Sequence, residues 1–244
     1  MRLTEYIQKK RFAPGPGVTE PPPKEGAKRF FFILANHFGK MIALNLLFLA
    51  FCLPVLTIPA ALCGANRVLI NLVNEGHCFL WQDFIKEFKG SFFKSLPFGF
   101  LAAFLLLDSF LAYQIGVSGG GVRVGMAALA IALFGVCVLF SGYAFVFIAA
   151  LPLKGRHIAK NALILMFTEW KTNLVILAGA AALPVLTALI AYRAPVIALT
   201  LLLFIYFSFS RLLVCTAVFT PMRRRIVEPY EQARQKEEAD CGAV

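Results

Sequence analysis

Residues 51–64 read FCLPVLTIPAALCG, an apolar run with prolines at Pro54 and Pro59. The fold turns on whether the chain crosses a membrane once here or doubles back. Each proline removes a backbone donor, clashes with the carbonyl four residues earlier and biases the residue before it away from helix. Two such breaks within six residues predict the end of one helix and the start of another. Pro59 suits the first turn of the second helix, with Thr57 placed to cap it.

The sequence around this stretch sets the solvent. The 244 residues are 59% hydrophobic and 15% charged, with mean hydropathy +0.76, whereas soluble domains are about a quarter charged. Apolar runs of membrane-crossing length recur at Ser95–Gly116, Val124–Leu151, Asn173–Tyr192 and Ala194–Thr220. An all-α, polytopic membrane helix bundle follows.

Charge then fixes the topology. If Met41–Leu62 were one span, ten basic residues would fall on one side of the membrane and thirteen on the other. If the chain turns at Pro54–Pro59, Arg123 and Arg193 lie outside, Arg67 and Arg211 lie within membrane segments, and the remaining twenty of 24 share one side. The second distribution is the one the positive-inside rule requires, so both termini are expected in the cytoplasm. About six membrane segments result. The second, Ile58–Val73, spans about 24 Å at 1.5 Å per residue, short of a hydrocarbon core of about 30 Å, so a tilted short span and a re-entrant segment both fit.

Two cytoplasmic amphipathic helices are expected in the interface. Gly76–Ser95 places Trp81, Phe84 and Phe88 on one face, and Pro152–Thr172 gathers Ile158, Ala162, Leu165, Met166 and Trp170. Trp81, Phe84, Phe88 and Trp170 are the predicted interfacial anchors. Two short echoes, LPVLT at 53–57 and 183–187 and the pair Glu87-Phe88-Lys89 and Glu169-Trp170-Lys171, hint at duplication, but their offsets differ.

Residues 1–29 form a basic, proline-rich leader expected to be a disordered tail, 30–227 a single transmembrane domain, and 228–244 a polar C-terminal tail. No cleavable signal peptide is expected, because the first apolar run begins near Phe30. The six cysteines show no CxxC spacing and His77 beside Cys78 lacks further ligands nearby, so neither a disulfide framework nor a metal or cofactor is expected.

Four stretches together resemble the YesL-like family of bacterial membrane proteins: FFFILANHFGK (30–40), LNLLF (44–48), CLPVLTIPAA (52–61) and WQDFIKEFKGSFFKS (81–95). The resemblance implies a multi-pass protein of the bacterial inner membrane, often encoded beside carbohydrate-uptake transporters. It implies no known reaction or ligand.

Charged side chains at membrane depth are the natural site candidates. Asp108 is the acidic residue of the apolar runs, about 12 Å from the outer end of its span, and Arg67 lies about 13.5 Å from the turn. Equal depths predict an ion pair between Arg67 and Asp108, either a packing contact or a substrate or proton site. Arg211 is expected to snorkel toward the cytoplasm. No nucleophile–base pair, carboxylate pair or phosphate loop stands out, so an enzyme is not expected, and net charge +11 is assigned to topology rather than to nucleic acid. The expected partners are the lipid bilayer, anionic lipid at the basic tails and a sugar transporter or other membrane protein that this chain would assist or regulate. The alternative is a small-solute transporter or channel in its own right.

Overall fold

The computed structural model describes residues 26–74, 78–118, 123–229 and 232. Among them every regular element is helical. Helix α1 (Gly26–Asn36) bends by 85° into α2 (Phe38–Phe51). A tight turn at Val55–Thr57 leads into α3 (Ile58–Asn74). Then come α4 (Leu80–Ser118), α5 (Arg123–Ala150), α6 (Gly155–Thr168) and α7 (Trp170–Arg193). The last rod runs unbroken from Pro195 to Val227, as α8 (Pro195–Leu201), a π turn at Leu202–Tyr206, α9 (Phe207–Met222) and a second π turn at Arg223–Val227. Five helices are long and apolar enough to cross a membrane, six with the bent pair, and the chain is a multi-pass membrane protein.

The turn forms where the two prolines predict it. Pro54 is extended (φ −79°, ψ 118°), and Pro59 occupies the second position of α3. Thr57 behaves differently from expectation. Its hydroxyl donates back to the carbonyls of Phe51 and Pro54, 2.6 and 2.5 Å away, so it closes the end of α2 instead of capping α3.

Helix α3 is the core of the bundle. Of its 17 residues 11 are buried, against two of the 24 in α7, and it packs between α4, α5 and α9. Small residues make this possible. An added Cβ at Gly64 would stand 3.0–3.2 Å from Phe84, and one at Gly99 would meet the ring of Pro59 at 2.2 Å.

These contacts also set the depth of the hairpin. Asn71 of α3 bonds Asp83 near the start of α4, while Pro59 lies against Gly99, so the two helices run antiparallel. From Gly99, α4 continues nineteen residues to Ser118, about 28 Å beyond the turn. The hairpin therefore lies beside the N-terminal half of α4, and its tip stops well short of the far end of that helix. Its tip exposes Leu53, Val55 and Leu56, side chains suited to lipid.

One expectation needs correction. The amphipathic stretch 76–95 is not a separate interfacial helix from residue 80 onward: it runs through Pro97 into the following span as one 39-residue helix. Its aromatic face meets protein. Phe84 is fully buried, and Phe51 lies 5.2 Å from Phe84 and 4.9 Å from Phe88, ring centre to ring centre. The second amphipathic helix, α6, is distinct, and it buries Ile158, Ala162 and Leu165 as its periodicity requires. Residues 26–29 belong to α1, and Arg29 is buried.

Candidate functional site

Five polar side chains link α3 and its neighbours. Arg29 donates through Nε and Nη2 to the carbonyls of Val73 and Leu72, 3.0 and 2.9 Å away. It thereby satisfies carbonyls that the C-terminus of α3 leaves unpaired and faces the negative end of the helix dipole. Arg67 does the same for α5, donating from Nη1 to Ala149 O at 3.1 Å. Asn45, fully buried on α2, serves the first π turn. Its Nδ2 donates to Leu202 O and Leu203 O at 3.2 and 2.7 Å, and its Oδ1 accepts from the Ser208 N–H at 2.9 Å. A π turn displaces the helical hydrogen-bond ladder, and one amide repairs it.

The fourth and fifth are Asn66 and Arg211. Asn66 Oδ1 accepts from Nε and Nη2 of Arg211, both at 3.0 Å, and from Cys215 Sγ at 3.5 Å. Arg211 has no carboxylate partner among the described residues, since the ion pairs there join Arg223 to Glu228 and Arg225 to Glu169. The expectation that it snorkels outward is overturned, because Asn66 holds it in the bundle.

Beside Arg211 opens a cavity of about 270 Å³ between α5, α7 and the last rod, lined by Ser141, Ala180, Pro184, Tyr206 and Ser210 among others. Pro184 has no N–H, so the carbonyl of Ala180 in the same wall lacks its helical donor. Nearer the cytoplasmic end expected from charge, a cavity of about 500 Å³ is bordered by Glu169, Trp170, Lys171, Arg224 and Arg225.

Arg67 and Asp108 are not brought together. Arg67 lies about 12 Å from the Pro59–Gly99 contact in one direction and Asp108 about 13.5 Å in the other, and no ion pair joins them among the described residues. Matching the two depths assumed that the turn lies level with the far end of α4, and it packs against Gly99 instead. Trp81 and Trp170 are mostly exposed, Phe88 is half-buried, and Phe84 is core. His77 lies outside the described residues, and burial pushes the Cys78 thiol above its ordinary range. Asn45 makes the helix–helix hydrogen bonds expected of a polar residue in an apolar helix, whereas sequence reasoning does not reach the Asn66–Arg211 contact, whose signal is two polar residues in apolar helices with no local partner.

This is a membrane-embedded helical bundle built round a buried, proline-turned hairpin. Residues 41–113 match the family model described as Protein of unknown function, DUF624. The matched stretch takes in the hairpin and most of α4, while Arg211 and the cavity walls lie beyond it. No curated protein and no solved structure matches the chain.

Proposed function

We propose that this protein is an accessory or regulatory component of a bacterial plasma membrane, with both termini cytoplasmic. It associates within the bilayer with another integral membrane protein and, in keeping with the YesL-like resemblance, with a carbohydrate-uptake transporter. The observation that supports this reading is α7. In this helix of 24 residues only Ile176 and Gly179 are buried by the rest of the chain, and Ala178, Ala181 and Ala182 are exposed. Lipid tails are as apolar as the side chains they cover, so small residues matter mainly where another helix comes close. A cysteine placed at Ala181 should cross-link in native membranes to a second protein that also co-purifies with the full chain. Consistent recovery of the chain alone, as a monomer or homo-oligomer, overturns the reading.

A second reading, a small-solute transporter or channel, draws support from the Arg211 cavity. Charged groups beside interrupted helices in the membrane interior resemble the binding sites of transporters. Solute uptake by proteoliposomes holding this chain alone distinguishes the two, because an accessory protein moves nothing by itself.

A further inference from the structure

We propose that the cavity beside Arg211 binds a small monocarboxylate, with the guanidinium as its charged anchor. The inference deepens the second reading but needs no transport, and it is independent of the partner that α7 would contact.

The cost of the charge is the starting point. An arginine within a span is expensive unless it is paired or meets water or a ligand. Here sixteen helical residues separate Arg211 from Pro195 and sixteen from Val227, about 24 Å each way. It therefore sits at the middle of the rod. A guanidinium has five N–H donors, and the structure uses two of them, both on the single oxygen of Asn66. Asn66 thus fixes the plane of the group without neutralising it.

The cavity supplies what a carboxylate needs. Ser210 and Tyr206, which carry hydroxyls, line it together with side chains such as Phe134, Val138 and Leu183, while the Ser141 hydroxyl donates to the Val138 carbonyl. One fixed cation in such surroundings balances one negative charge. A dianion would bring a second, uncompensated charge into a site of low dielectric, so phosphate should be a poor ligand. Two donors of a guanidinium and the two oxygens of a carboxylate match in geometry, which gives orientation as well as attraction.

The test uses the full chain purified in nanodiscs at pH 8 and constant ionic strength, titrated with sodium acetate, sodium benzoate, inorganic phosphate or sodium chloride. Acetate or benzoate should raise Tm saturably, by about 3–6 °C at ten times its Kd, while phosphate and chloride do not. Arg211→Met should abolish the rise. Because that variant can also unfold the bundle, Ala180→Leu fills the cavity and leaves the Arg211–Asn66 contact in place; it too should lose the rise. Arg67→Met, whose guanidinium serves Ala149, should keep it. A rise that chloride or phosphate reproduces, one that survives Ala180→Leu, or none with either carboxylate overturns the site. Uptake that fails while the Tm rise holds removes the transporter reading and leaves the site standing.

Discussion

Asn45 shows how much one side chain carries when backbone groups have no water to turn to. Its amide holds two carbonyls of the Leu202–Tyr206 π turn and the N–H of Ser208 just beyond it, and each group left unsatisfied in a buried setting costs about 1–3 kcal/mol. Interhelical hydrogen bonds in membranes measure lower on average, about 0.6 kcal/mol. Asn45→Ala should therefore destabilise the protein by about 1–3 kcal/mol in a denaturant titration, and Asn45→Asp, which keeps the acceptor for Ser208 N–H, should not restore the lost donors. Asp108 makes the opposite case. Half-buried and without an ion-pair partner among the described residues, it should tolerate Asp108→Asn within about 0.5 kcal/mol. A double-mutant cycle with Arg67→Met should give a coupling near zero, since distant sites add to within about 0.3–0.5 kcal/mol; a coupling above 1 kcal/mol would restore the ion pair.

Among the elements, the pentapeptide LPVLT has two fates. At 53–57 it forms the turn between α2 and α3, and at 183–187 it lies inside continuous α7. One proline removes one hydrogen bond, and a helix absorbs it. At the first site Pro59 follows within the same run and denies the helix a second donor before it can resume. That much was legible from sequence. The junction at Ser95 was not, because the amphipathic stretch and the span share one helical period and no breaker stands between them before Pro97. Nor could periodicity say what covers the Phe84 face, since lipid and protein are equally apolar. The packing of α3 on α4 gives a direct check. Gly99→Ala would drive a methyl group into the rigid ring of Pro59, where a Cβ stands at 2.2 Å, whereas an added Cβ at Gly39 meets nothing within 4 Å. Overpacking typically costs about 1–3 kcal/mol, so Gly99→Ala should lower Tm clearly, and Gly39→Ala should leave it level or raise it through its better helix propensity. Equal Tm values for the two variants would mean that the hairpin does not pack this closely.

Across the whole molecule, depth and charge have to agree, and the charge is met equally by a hairpin that crosses twice and by one that enters and leaves by one side. A hairpin that enters and leaves by one side would add no net crossing and leave α4, α5, α7 and the last rod as four crossings, which would return the chain to the side where it began. The sequence pattern of twenty basic residues against two demands this even parity, but it cannot distinguish a hairpin that crosses twice from one that never crosses. Contacts bear on that choice, because Pro59 rests at Gly99 and leaves about 28 Å of α4 beyond it. Topology reporters should therefore mark both termini as cytoplasmic. Single cysteines at Leu53 or Val55, in a background without the native cysteines, should resist a membrane-impermeant maleimide added from outside, whereas one at Val117 near the far end of α4 should react. If Leu53 and Val117 label equally fast from outside, the hairpin crosses the bilayer; a cytoplasmic N-terminus with an external C-terminus would remove the even parity itself.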